Sequence, residues 1–520
     1  MKPWLRGIAL VAPALALGGT ASLAQMIDNT QATNPIKAGI NKSLADEVGT
    51  GRGNVNVVGS SAYIIARDPF RSIRRGRQLF QRKFTNLQGQ GPNEKDGLGD
   101  IAADKGIGAG LSDSCASCHG RPRGSAGVGG DVATRPDSRD STHLFGLGLK
   151  EMLADEITAD LRAIRDSTIA QALQWHRPVT SRLMGKGIQY GSLTANADGS
   201  VDTSAVRGVD PDLRVRPFFA EGSTMSIREF VVGALHNEMG LEASDDPDLT
   251  TANAGGRVVT PSGMVLDGSK DRIEGPPAPD AHNGNEIDPA LVDHLEFYLL
   301  NYFKPALYKQ TPSTERGRSV FNRIGCASCH VPDLTVEHDR RVADVETAYD
   351  PTRGIFNNLF ATATPLFNVV DDGSGNPPLK VAAGHSFLVR NIFTDFKRHD
   401  LGPSFYERNW DATTQKTFLT RPLWGVGSTG PYGHDGRSIT LSEVILRHGG
   451  EAQAQRDAFA ALTDGQADNL LQFLNSLVLF PPDDTASTLD PGDPTKPGFP
   501  QAGHGSIKLT VLFNDPSDPE

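Results

Sequence analysis

The sequence predicts a mainly α chain built as two tandem units with long irregular loops. Three observations predict it. One block of sequence recurs in the same order. Apolar residues fall at helical spacing between the recurring motifs, and few stretches alternate convincingly as strands. Gly76-Arg77-Gln78-Leu79-Phe80-Gln81-Arg82 returns as Gly317-Arg318-Ser319-Val320-Phe321-Asn322-Arg323. Cys115-Ala116-Ser117-Cys118-His119 returns as Cys326-Ala327-Ser328-Cys329-His330, and 326 − 115 = 211. The run from Pro217 to Glu229 returns from Pro431 to Glu443, and 431 − 217 = 214. Each unit then closes on an apolar helix, Leu291 to Phe303 and Ala467 to Phe480. Chance accounts for any one pair; four pairs in one order identify a duplication.

The elements follow in chain order. A helix precedes each Cys-Ala-Ser-Cys-His motif. Lys150 to Trp175 reads as a helix, with Leu153, Ile157, Leu161 and Ile164 on one face. Ser226 with Glu229, and Thr440 with Glu443, fit capping boxes at helix starts. The stretches from Asn86 to Gly110 and from Ala252 to Asp288 are rich in Gly, Pro, Asn and Asp and read as loops. Four segments result: 1–24 as a signal peptide, 25–305 and 306–482 as the two units, and 483–520 as a Pro-rich tail.

Residues 1–24 carry Lys2 and Arg6, an apolar run from Ile8 to Leu17, and a small-residue cleavage site at Ser22-Leu23-Ala24. The apolar run is short for a bilayer span, and no later segment is long and apolar enough for one. The mature chain is thus expected to be soluble and periplasmic or secreted. The balance of 51 Lys+Arg against 62 Asp+Glu, a formal charge of -11, argues against nucleic acid or an anionic membrane as partner. It suits a basic redox partner, and it equally suits simple solubility.

All four cysteines lie in the two repeated motifs, so none remains for a disulfide. Two thiols with this spacing reach the two vinyl groups of one porphyrin, and the next residue, His, is placed to ligate its iron. Zinc or dithiol chemistry would also use paired cysteines. Both leave the following His unexplained, twice, in an exported chain. The sequence therefore calls for two covalently bound haem c groups, on Cys115, Cys118 and His119 and on Cys326, Cys329 and His330.

The repeat also addresses the other face of each iron. From Thr440, residues Leu441, Val444, Ile445 and His448 share a helix face, and Gly449 stops the helix. His448 is the candidate sixth ligand of the second iron. The matching position in the first unit is 448 − 214 = 234, an alanine, which cannot ligate iron. The first haem is then open, unless His143, His176 or His236 reaches it. Glu238 is the first candidate for acid/base work on that face and His236 the second, each against a plain polar role at a helix end.

These residues resemble the di-haem cytochrome c peroxidase and MauG superfamily, and within it the di-haem oxidoreductases, some labelled thiol oxidoreductases. The similarity is most specific from Thr420 to Gly427 (TRPLWGVG), from Pro431 to Arg437 (PYGHDGR) and from His448 to Ala452 (HGGEA), with a further segment from Arg139 to Gly148. The resemblance implies two tandem cytochrome c-like haem domains facing each other, with the reactive haem in the first. It implies that His448 occupies the distal position that is Met in the peroxidases and Tyr in MauG; His there is similar to the rubber-cleaving di-haem oxygenases. The family's inter-haem tryptophan falls on Ala220, with Trp424, Phe218 or Phe219 as substitutes, and Glu238-Met239 is similar to its distal Glu-Met pair. Ca2+ on backbone oxygens near Thr429 and Pro431 is a further candidate.

Three functions follow. The leading one is a peroxidase-like di-haem oxidoreductase acting on a small substrate and fed by a donor such as a small cytochrome or cupredoxin. The second is a dioxygen-dependent oxygenase of the rubber-oxygenase type. The third is a non-enzymatic di-haem electron carrier. Arg77, Arg421 and Arg437 are candidates for pairing with haem propionates, or for solvated and capping roles.

Overall fold

The computed structural model describes residues 43–91, 110–121, 125–132, 137, 139–278, 285–302, 305–307, 310–349, 359–409 and 411–478. The segments expected to be a signal peptide (1–24) and a Pro-rich tail (483–520) lie outside them. In the first unit, helix α1 (Pro69–Gln81) starts with proline in its first turn, where no helical N–H is lost. The first cysteine motif forms one helical turn, Cys115–His119, capped by Ser114. The long helix α2 (Leu147–Trp175) buries Leu153, Ile157 and Leu161 and starts three residues before Lys150. Helix α3 (Ile227–Met239) has the full reciprocal box, Ser226 with Glu229, and ends on left-handed Gly240. Helix α4 (Pro289–Asn301) is buried almost all round and closes the unit.

The second unit repeats this plan with α5 (Pro312–Arg323), the motif turn Cys326–Ser328, α6 (Leu441–Arg447) and α7 (Asp464–Asn475). At α6 the reciprocal arm of the box shifts by one residue: Thr440 accepts from Glu443 N, while the Glu443 carboxylate takes Ile439 N at 2.8 Å. The last helix ends at Asn475 instead of running on to Phe480, because Leu477–Val478 pairs as a strand with Ala306–Leu307.

The duplication is visible in the packing. Gly76 of α1 lies against α4, where a Cβ would come within 2.2 Å of the His294 carbonyl oxygen. Gly317 of α5 lies against α7 in the same way, 1.9 Å from the Asn469 carbonyl oxygen. These two glycines let α1 and α4, and likewise α5 and α7, touch backbone to backbone. Four residues on from each, Phe80 and Phe321 pack near the motif histidines, with ring centroids 6.5 Å from His119 and 6.2 Å from His330. Single-residue bridges Phe218–Thr224 and Tyr432–Ser438 recur 432 − 218 = 214 residues apart.

The mainly α expectation is wrong. Among the described residues 39% are helix and 17% strand, in several small sheets, so the structure is mixed α/β. The largest sheet pairs Val179–Gly185 with Ile188–Ala195 and Val201–Asp202. Its Leu183, Tyr190 and Leu193 are buried in one core with Ile157 and Leu161 of α2. Its connection is Lys186-Gly187, both left-handed, the two-residue turn that matches strand twist. The loop expected over 252–288 contains the hairpin Arg257–Val259 with Val265–Asp267. Further two-stranded pairs lie between Leu334 and Leu419. Most are two to four residues long, too brief for their alternation to stand out from a loop, while Ala343–Tyr349 with Leu359–Pro365 is longer. No helix among the described residues is long and apolar enough to cross a membrane.

Arg228 fastens α3 to α4. Its guanidinium is fully buried and meets Asp246 at 2.6 Å, Asp293 at 2.8 Å and Glu296 at 2.8 Å. A charge this deep persists only because it is paired on several sides. The cluster holds in place the helix that carries Ala234 and Glu238.

Candidate functional site

Two cavities open on the two motifs. The first, about 410 Å³, is bordered by Cys115, Cys118 and His119. The second, about 270 Å³, is bordered by Cys326, Cys329 and His330. None of the four cysteines forms a disulfide. Burial pushes the Cys115 thiol up to about 12 and the Cys326 thiol up to about 11, the opposite of a reactive low-pKa dithiol.

Both motif histidines are set as metal ligands. His119 Nδ1 lies 2.6 Å from the Thr142 carbonyl oxygen, and His330 Nδ1 lies 3.0 Å from that of Phe393. A carbonyl only accepts, so each Nδ1 carries the proton and each Nε2 keeps its lone pair. Phe393 is left-handed, with φ 55°, in the bend that brings its carbonyl to the ring. Burial, the largest influence, lowers both histidines to about 4, so both stay neutral at pH 7. A neutral imidazole with a fixed tautomer is what an iron ligand requires.

His448 borders the second cavity and has the same arrangement, with Nδ1 2.7 Å from the Val444 carbonyl oxygen. Burial lowers its pKa as well. His330 and His448 interact electrostatically, which puts them in one neighbourhood. Two other histidines of this cavity are committed elsewhere. His399 meets Asp395 at 2.9 Å through Nε2 and Glu451 at 2.8 Å through Nδ1. Burial alone would lower it, but hydrogen bonds with Asp395, Cys329 and Glu451 outweigh that and push it up to about 10. An imidazolium has no lone pair for iron. His434 stacks on Phe418 with centroids 4.0 Å apart, and its Nε2 lies 3.5 Å from Glu407.

The first cavity differs. Ala234 stands on its wall with Phe218, Phe219, Phe230, Val231 and Leu235. Asn237, Glu238 and Met239, from the end of α3, also border it. His236 is not among the residues that border it. His176 is exposed at the end of α2. His143 borders both cavities, yet both its nitrogens are taken: Phe145 N donates to Nδ1 at 3.2 Å, and Nε2 donates to the Trp424 carbonyl at 2.7 Å. Burial, ahead of the charges of Lys150 and Arg421, pushes it down to about 3.

A shared wall separates the cavities. Asp140, Thr142, Ala220, Arg421 and Trp424 border both. Trp424 is 4% exposed and lies against Gly146, whose left-handed conformation (φ 69°) leaves no room for a Cβ, 2.4 Å from the indole. Arg139 crosses the rim, paired with Glu221 at 2.7 Å and Glu407 at 2.9 Å. Of the arginines considered from sequence, Arg421 alone borders the cavities; Arg437 is exposed beside Asp435, and Arg77 borders neither. Sequence reasoning missed Lys150 and His399. Phe218 reaches Lys150, and Glu451 reaches His399, from distant segments, although Asp395 stands only four residues before His399.

Two thiols, a neutral histidine of fixed tautomer and an apolar cavity at each motif fit haem. Among the described residues, one other group brings His, Cys, Asp or Glu atoms within metal-sharing distance: Cys329, Asp395 and His399, within 4.8 Å of one another. The carboxylates on both nitrogens of His399 disqualify it.

No curated protein matches the chain. Among solved structures, the hydrazine synthase of Kuenenia stuttgartiensis aligns with 13% identity and a TM-score of 0.31, over 86% of this chain and 99% of that one. A MauG-like protein associated with microbial copper homeostasis aligns with 14% identity and a TM-score of 0.25, over 69% and 95%. Likenesses this distant carry no argument about activity. Residues 333–477 match the family model described as "Di-haem oxidoreductase, putative peroxidase", so that segment of the second unit is similar to the di-haem oxidoreductases.

Proposed function

We propose that the chain is an exported, peroxidase-like di-haem c-type oxidoreductase, with electrons passing between a bis-His haem in the second unit and an open haem in the first. One observation carries this reading. His448 borders the second cavity, and the residue at the matching place on the first is Ala234. When bound, the haem supplies the electron transfer and bond-breaking chemistry. Cys115, Cys118, Cys326 and Cys329 would hold the porphyrins as thioethers, and His119 and His330 would ligate from the proximal faces. Glu238 is the group on the first cavity suited to accept a proton and return it. His236 is not, because it stands off that wall. Phe218, Phe219 and Phe230 exclude water from the same face. Trp424 provides aromatic surface on the wall between the cavities. The acidic balance suits a basic donor such as a small cytochrome or cupredoxin.

Stopped-flow absorption tests this reading. Peroxide added to the reduced protein should oxidise its haems rapidly, and turnover should follow once a donor is supplied. Reduced haems that ignore peroxide would contradict it. The apolar wall at Phe218, Phe219 and Val231 favours a second reading, the dioxygen-dependent oxygenase. That reading instead requires dioxygen uptake with an apolar substrate and no peroxide.

A further inference from the structure

A pair of cations on the cavity wall plays no part in the chemistry above. Lys150 lies in the first turn of α2 and borders the first cavity; Arg421 borders both. Among the described residues neither has a carboxylate at ion-pair distance. The contact of the Lys150 ammonium is the Phe218 ring, 5.4 Å from its centroid. Two other buried arginines are paired with carboxylates: Arg228 with four and Arg139 with two. Burial and the charge of Arg421 push Lys150 down to about 7; burial followed by the charge of Arg139 pushes Arg421 down to about 10, against the weaker opposing pull of Asp140, Glu221 and Glu407, none of which reaches ion-pair distance. Two unpaired cations that repel each other, in a chain with a formal charge of -11, are costly to keep. An anion delivered to this wall relieves that cost.

The chemistry of the missing anion follows from the site. A guanidinium offers a fixed fork of donors that suits carboxylates, and it has enough N–H groups for two of them. The ammonium adds a point charge a short way off. On the di-haem reading, each cavity receives a porphyrin with two carboxylates on its edge. We propose that Lys150 and Arg421 form a carboxylate-binding pair whose occupants are haem propionates, Lys150 serving the first haem and Arg421, on the shared wall, serving both. The pair would neutralise the propionates inside the protein and bias both irons toward the reduced state.

The test uses the full-length holoprotein with Lys150→Met, Lys150→Arg and Arg421→Met. Haem content by the pyridine haemochrome assay comes first, since a wild-type chain without two haems defeats the di-haem reading itself. With two haems bound, Lys150→Met should lower the reduction equilibrium constant of one haem about tenfold, which is about 59 mV for one electron. Arg421→Met should lower both, and Lys150→Arg should stay near wild type. The propionate bending bands in resonance Raman spectra should shift in the two Met variants. Should Arg421→Met fail to fold, Lys150→Met against Lys150→Arg still decides. Unchanged potentials and unchanged propionate bands in fully loaded variants overturn the proposal. If potentials hold while acetate, titrated into the wild type, perturbs the first haem and loses that effect in Lys150→Met, the pair serves an exogenous carboxylate and the propionate assignment is overturned.

Discussion

Ala234 and His448 hold the same place in the two halves of the molecule. Each lies eight residues beyond its helix N-cap, since 234 − 226 = 8 and 448 − 440 = 8. Each borders the cavity of its own unit. One presents a methyl group and the other an imidazole with its proton fixed on Nδ1.

Exchanging the two residues should exchange the behaviour. Ala234→His places an imidazole on the open wall and should convert the first haem to a low-spin, six-coordinate centre with loss of peroxide reactivity. His448→Ala should open the second haem while leaving haem attachment intact. Absorption and magnetic resonance spectra of the two variants check both outcomes.

Glu238→Gln keeps shape and removes proton exchange. General acid/base groups contribute about 10²- to 10⁴-fold. Peroxide turnover should fall within that range while haem content and spin states stay as in the wild type. The matching change at His236, off the wall, should alter turnover little. Steady-state kinetics of the two variants side by side make the comparison.

Gly317→Ala should destabilise the second unit. The added methyl would come 1.9 Å from the Asn469 carbonyl oxygen, which is backbone and cannot swing aside. Overpacking of this kind costs about 1–3 kcal/mol. Gly76→Ala should do the same to the first unit, against the His294 carbonyl oxygen at 2.2 Å. Denaturant melts monitored by circular dichroism give the difference directly.

His399 predicts a pH dependence. Its folded pKa, about 10, lies above the ordinary histidine value of 6.5. The folded state therefore binds the proton more tightly, and the stabilisation is fully present below about pH 6.5. It fades as pH rises through about 10. The stability gap between wild type and His399→Phe should shrink steadily over that interval. A gap that is constant or grows with pH contradicts the imidazolium sandwiched between Asp395 and Glu451.

Much of this was legible in the sequence because it depends on short-range order. The two cysteine motifs fix their own turn of chain. Ser226 and Glu229 cap α3 from three residues apart, and the offset of 214 carried His448 onto Ala234 without any coordinates. The strands were harder. Lys186-Gly187 is a hairpin signal, but the neighbouring helical pattern is stronger and the paired strands are brief. The site's polar network was harder still. His143 could be removed as an iron ligand only by seeing that Trp424, 281 residues away, accepts from it. Lys150 faces Phe218 across 218 − 150 = 68 residues, and Glu451 reaches His399 from 52 residues on. Contacts of that range are settled by packing, which no local pattern encodes.

Inequivalent iron centres should be visible in electron paramagnetic resonance spectra of the oxidised wild-type protein, as one high-spin ferric signal from the haem on His119 beside one low-spin signal from the haem held by His330 and His448. Two low-spin signals that persist after reduction and reoxidation, or a protein that carries no haem, would contradict that inequivalence.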